Sequence, residues 1–75
     1  PVMMHLTARL EAIEKQQAEI NEALNTLYKL LQDCIDNAEG TEEDKLRMER
    51  TIKFLEGQHD MLSEWKQYIV AELKP

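Results

Sequence analysis

The fold of this chain is decided by residues 24–55, LNTLYKLLQDCIDNAEGTEEDKLRMERTIKFL. Apolar side chains recur in this stretch in steps of three and four residues, on either side of a single turn signal, Gly40-Thr41. This spacing is typical of the a and d positions of a heptad repeat, in which one stripe of each helix faces its neighbour. We therefore expect two helices joined by a tight turn.

The same spacing continues outward from the turn towards both ends of the chain. The first stripe comprises Met3, Leu6, Leu10, Ile13, Gln17, Ile20, Leu24, Leu27, Leu31, Cys34 and Ala38, and the second comprises Met48, Ile52, Leu55, His59, Leu62, Lys66, Ile69 and Leu73. Folding back pairs the stripes in one register, from Leu31 opposite Met48 to Leu6 opposite Leu73. Every pair of facing positions keeps this register. The sequence therefore predicts an all-α fold, an antiparallel two-helix hairpin that is coiled-coil-like.

Helix-breaking and capping residues set the expected bounds of the helices. Gly40 favours the left-handed conformation that ends many helices, because it has no Cβ. Thr41 followed by Asp44 favours a capping box at the start of the next helix. Opposite charges on the two sides of the turn are expected to pair across it. The prediction is a single hairpin domain over 1–75, with a helix over 4–38, a turn over 39–41 and a helix over 42–73.

Composition limits the kinds of partner that suit this chain. With 15 acidic and 9 basic residues its net charge is −6, which repels nucleic acid and anionic membrane surfaces. No apolar run approaches the roughly 18 residues of a membrane span, and no segment resembles a cleaved secretion signal. A single cysteine, Cys34, forms no internal disulfide. We expect a cytoplasmic protein with no nucleic acid or membrane partner.

The sequence offers weak candidates for chemistry. Glu56 and His59 form an E-x-x-H pair on a helix, but a di-iron site needs two such pairs and further inward glutamates. Cys34 is separated from His5 by about 44 Å along one helix, at 1.5 Å per residue. We expect no enzyme activity, no catalytic residue, no metal site and no cofactor. Gln17 and His59 lie in neighbouring layers, where their side chains either bond to each other or reach solvent.

A second apolar stripe on the C-terminal helix flanks the heptad seam. Together they cover an arc of about 200°, whereas packing against one helix needs about 100°. Aromatic and methionine side chains are enriched at protein interfaces, so we expect this surface to bind a protein. The alternative is the core of a homo-oligomer, such as a four-helix bundle of two hairpins. The candidate partner-binding residues are Phe54, Met61, Trp65 and Tyr68, with Leu30 and Tyr28 from the first helix.

Three short segments carry a family resemblance. Residues 4–11, MHLTARLE, residues 54–57, FLEG, and a chain end near Glu72-Leu73-Lys74 resemble the small E-type co-chaperones of type III secretion needle subunits, the YscE/PscE/SsaE/EscE type. That resemblance implies a cytosolic bacterial hairpin that binds a TPR-like co-chaperone and keeps a needle subunit soluble and unpolymerised before export. The acidic turn and the aromatic second helix do not match the family.

Overall fold

The computed structural model describes residues 1–37 and 40–74. Over these residues the chain forms two helices, α1 (Val2–Asp36) and α2 (Glu42–Leu73). They lie side by side in an elongated hairpin with dimensions of 55 × 15 × 15 Å. The predicted all-α, two-helix hairpin is confirmed.

The bounds of α2 coincide with the predicted range 42–73, whereas those of α1 are shifted towards the N-terminus. This helix begins at Val2 rather than at residue 4, because Pro1 is compatible with the position before a helix. It ends at Asp36, and Asn37 follows with its N–H 3.0 Å from the Asp33 carbonyl oxygen. Asparagine ends helices readily because its side chain competes for backbone hydrogen bonds. The seam position predicted for residue 38, like residue 39 of the predicted turn, lies outside the described residues.

The turn combines a left-handed glycine with a capping box. Gly40 has a φ of 78°, the conformation expected for it, although it lies beyond Asn37 and does not cap α1 directly. The Thr41 hydroxyl accepts from the Asp44 N–H at 3.1 Å. The Asp44 carboxylate in turn accepts from the Thr41 N–H at 3.3 Å. These reciprocal bonds satisfy backbone groups that the first turn of α2 leaves free, and the predicted capping box is confirmed.

The core is one layer thick and follows the predicted seam. Ile13, Leu62 and Ile69 pack together, with the partly buried Leu6, Leu10, Ile20 and Leu73 against them. Leu24 and Ile52 are the other buried apolar side chains of the described residues. No described side chain is less than 2% exposed. Two helices therefore leave much of their apolar surface uncovered.

Two described cations near the turn pair within α2. Lys45 Nζ lies 3.5 Å from Glu42 Oε1, and Arg47 Nη2 lies 3.5 Å from Glu43 Oε1, each with a carboxylate one helical turn away. Of the acids expected to pair across the turn, Asp33 and Asp36 form no ion pair among the described contacts, and Glu39 lies outside the described residues. Within the described ranges, neither helix is long and apolar enough to span a membrane.

Candidate partner-binding groove

The hairpin has two long faces, and polar contacts between the helices concentrate on one of them. At the centre of this polar face, Gln17 donates to the Ser63 hydroxyl at 2.9 Å and to the His59 carbonyl oxygen at 3.3 Å. Gln17 is 9% exposed, so this amide sits inside the seam with its donors satisfied. A bond between the Gln17 and His59 side chains does not form, because the His59 carbonyl and Ser63 are the groups within reach.

Two further contacts join the helices on the polar face. Lys66 reaches out of the seam and its ammonium lies 3.4 Å from the Glu14 carboxylate. The Tyr28 hydroxyl donates to Glu56 at 2.6 Å. This hydrogen bond, followed by desolvation and the carboxylate charge, raises the pKa of Tyr28 above its ordinary value. These contacts use polar atoms of both helices, although the face keeps an open pocket of about 610 Å³ beside Gln17 and Ser63.

The opposite face is an apolar groove between the helices. It is open along its length and has a volume of about 520 Å³. Its α2 wall is formed by Phe54, Leu55, Gln58, Met61, Leu62 and Trp65, and its α1 wall by Gln16, Glu19, Ile20 and Ala23. None of these side chains makes a hydrogen bond to the other helix among the described contacts. The groove therefore presents apolar surface that the hairpin does not use.

Helix periodicity explains why this groove forms where it does. Phe54, Gln58, Met61 and Trp65 follow one another in steps of four, three and four residues, so they form one ridge along α2. The facing side of α1 carries Gln16, Glu19, Ile20 and Ala23, of which Ala23 has the shortest side chain. The ridge and this wall line an open channel between the helices.

The largest side chains of the ridge remain exposed to solvent. Phe54 is 64% exposed, Met61 51% and Trp65 50%. Burial of apolar surface contributes roughly 25 cal/mol per Å², so covering these three side chains is a large favourable term for a binding partner. Aromatic anchors of this kind are the residues that dominate binding energy at protein interfaces.

The structure separates the six predicted partner-binding residues. Phe54, Met61 and Trp65 meet in the groove. Tyr68 is exposed one turn beyond Trp65 on α2, and Leu30 is exposed two turns beyond Ala23, so both extend the groove edges. Tyr28 is not brought together with the others, because it lies on the polar face beside Glu56.

Several residues at these faces were not found from the sequence. Gln16, Glu19 and Gln58 line the groove, and Ser63 completes the contact of Gln17. Ser63 directly follows the seam residue Leu62, and its hydroxyl was the feature of the sequence from which the contact with Gln17 could have been predicted. The groove-lining residues are ordinary helix formers, and only the placement of the second helix distinguishes them from other surface residues.

Of the E-x-x-H pair, only the Glu56 side chain makes a described contact between the helices. The Glu56 carboxylate accepts from Tyr28, and the His59 carbonyl accepts from Gln17. Among residues 1–37 and 40–74, no group of three His, Cys, Asp or Glu side chains lies close enough together to hold a metal ion. The geometry of this pair therefore gives no basis for a metal proposal.

Comparison with protein-family models, with curated proteins and with solved structures finds no match to this chain. Its function is accordingly argued from the groove itself. The features that carry the argument are the apolar ridge, its exposure, and the absence of interhelix polar contacts among the described residues of that face.

Proposed function

We propose that this hairpin is a non-enzymatic adaptor that binds a partner protein through its apolar groove. The observation that carries the proposal is the ridge of Phe54, Met61 and Trp65, each at least half exposed along the open groove between the helices. An elongated channel between two helices is suited to an amphipathic helix, which places its apolar side into the groove and its polar side in water.

The partner that we propose follows from the family resemblance of the sequence. A TPR-like co-chaperone supplies helices, and the pair would hold a type III secretion needle subunit soluble and unpolymerised in the cytoplasm of a bacterium. Such a role needs binding alone, because a partner that binds the unpolymerised subunit withdraws it from polymerisation by mass action. No catalytic group is required.

Binding is tested with Trp65, the single tryptophan of the chain. The hairpin is labelled with 5-fluorotryptophan and titrated with an unlabelled TPR-like needle co-chaperone, and the fluorine resonance is followed by NMR. We expect one resonance to shift on saturation, together with a complex of defined mass by light scattering. An unshifted resonance and no complex would refute the proposed partner.

A matched pair of variants tests whether the groove is the contact surface. Trp65→Ala removes an aromatic side chain from the groove, and Tyr28→Ala removes one from the polar face. We expect Trp65→Ala to weaken the complex by about 2 kcal/mol or more and Tyr28→Ala to leave it nearly unchanged. Equal effects of the two substitutions would place the contact elsewhere.

The chaperone role needs its own measurement. Purified needle subunit is incubated alone, with the TPR-like protein, and with both proteins, and polymer is recovered by sedimentation. We expect the subunit to stay in the supernatant only when both proteins are present, and Trp65→Ala to restore polymerisation. Polymer formation at an unchanged rate would reject the chaperone role while leaving the adaptor role intact.

The alternative function is a homo-oligomeric coiled-coil dimerisation module with no chaperone role. It is favoured by an overlapping surface, the outer side of α2, where exposed residues form a further heptad-like series that shares Phe54 and Met61 with the groove. A module of this kind would associate at low micromolar concentration without a second protein.

A further inference from the structure

The outer side of α2 carries a second 3-4 series that the hairpin does not use. This outer seam comprises Glu43, Arg47, Arg50, Phe54, Gly57, Met61, Glu64, Tyr68 and Ala71. All of these residues are exposed. Alternating steps of four and three residues place them along one stripe of a helix. The stripe therefore has the periodicity needed to pack against another helix.

Gly57 occupies the middle of this outer seam without serving the fold of the hairpin. A Cβ at this position would meet no atom within 4 Å, and the residue lies well inside α2. Glycine is a poor helix former, so its presence in an exposed helix interior is unfavourable for the isolated chain. It does, however, leave a gap in the stripe, one turn from the exposed Phe54 and Met61.

We propose that the outer seam binds the outer seam of a second copy of this chain, antiparallel and related by two-fold symmetry. In this arrangement the Phe54 ring of each copy sits over Gly57 of the other. A phenylalanine ring opposite a glycine, which has no side chain, gives the size complementarity that close helix packing needs. Because the dimer is two-fold symmetric, the contact between Phe54 and Gly57 occurs twice.

The charges of the seam select the same register. Arg47 precedes Phe54 by seven residues, and Glu64 follows Gly57 by seven. An antiparallel pair that seats Phe54 over Gly57 therefore also places Arg47 opposite Glu64 of the second copy. In this register Arg50 faces Met61 and Glu43 faces the Tyr68 hydroxyl, whereas Ala71 falls opposite Gly40, before the start of α2.

The outer seam is available and long enough for a dimer. Arg47 contacts Glu43 at 3.5 Å, but their side chains are 72% and 82% exposed, so the guanidinium is free to turn towards another carboxylate. From residue 43 to residue 68, the part that pairs in this register, the seam extends about 38 Å at 1.5 Å per residue. This contact does not rest on the proposed function, but it covers Phe54 and Met61, which also line the groove, so self-association and partner binding compete for these two side chains.

Charge reversals test the register of the dimer by sedimentation equilibrium. Arg47→Glu and Glu64→Arg each place like charges opposite one another at two symmetric sites, so we expect each to raise the dimer dissociation constant about tenfold or more. The double variant restores the pairs and the original net charge, so its dissociation constant returns to that of the wild type. Lys15→Glu and Glu49→Arg are the matched controls, because they change net charge equally away from the seam, and we expect no weakening.

Steric blocking gives an independent test. Gly57→Leu fills the gap with a side chain and is expected to abolish the dimer while circular dichroism shows an intact hairpin. Trp65→Ala in the groove is expected to leave the dimer in place. A wild-type chain that stays monomeric at hundreds of micromolar, a Gly57→Leu dimer, or single reversals without effect would overturn the proposal. Binding of a partner by the groove is tested separately through Trp65, which lies outside the outer seam.

Discussion

Gln17 of α1 donates a 2.9 Å hydrogen bond to the Ser63 hydroxyl of α2, and this contact places a polar layer in the middle of an apolar seam. The same amide lies 3.3 Å from the His59 carbonyl oxygen. A polar layer in a helix pair lowers stability but disfavours registers in which its partners are lost. The hairpin therefore gives up some free energy of unfolding for one alignment of its helices.

Replacement of Gln17 by leucine tests this interpretation. Gln17→Leu extends the seam without a polar interruption, and Ser63 at the edge can turn to solvent. We expect the free energy of unfolding to rise by about 1 kcal/mol, measured by urea denaturation followed by circular dichroism. Asn25→Leu, at an exposed position away from the groove, is the control and should change it by less than about 0.5 kcal/mol. A loss of stability in Gln17→Leu would show that the amide bonds outweigh apolar packing here.

The two glycines are expected to respond to alanine with opposite signs. Gly57→Ala places a methyl group where nothing lies within 4 Å, so the hairpin should gain about 1 kcal/mol from helix propensity. Gly40→Ala forces a side chain onto a φ of 78° and should lose about 1 kcal/mol or more. Thermal unfolding at low protein concentration measures both changes on the isolated hairpin. Matching signs would contradict this assignment of their roles.

Leu62 and Trp65 are three residues apart on α2 but serve different purposes. Leu62 is 8% exposed and packs in the core, so Leu62→Ala should lower the free energy of unfolding by about 2–4 kcal/mol. Trp65→Ala should lower it by less than about 1 kcal/mol and keep the helical signal, because the ring is half exposed. A large loss of helix in Trp65→Ala would instead assign the indole to the core.

The Tyr28–Glu56 contact predicts a stability difference in alkaline solution. Because the pKa of Tyr28 is raised in the folded chain, its contribution is fully present below the ordinary tyrosine value of about 10 and is lost as pH rises through the higher folded value. Tyr28→Phe should therefore be less stable than the wild type at pH 7 to 9, with the difference disappearing in more alkaline buffer. Urea denaturation across this pH range measures it, and a difference independent of pH would exclude the linkage.

The features that local rules control were readable from the sequence. The heptad spacing indicated the hairpin, because apolar stripes of two joined helices are buried only when they face each other. The Thr41–Asp44 box was predictable because its atoms lie within one turn of helix. The bounds of α2 follow from the same local signals, whereas the end of α1 depends on how Asn37 leaves the helix.

The division into a polar face and an apolar groove required both helices in place. Tyr28 and Trp65 are alike in sequence, since each is an aromatic residue flanking a seam, and both were expected at one surface. In the folded chain the Tyr28 hydroxyl donates to Glu56 on one side, while Trp65 lies in the apolar groove on the other, where Gln16 belongs to the facing wall. Periodicity determined that these rings lie beside the seam, but the side chains contributed by the opposite helix decided which flank is bridged by hydrogen bonds and which is not.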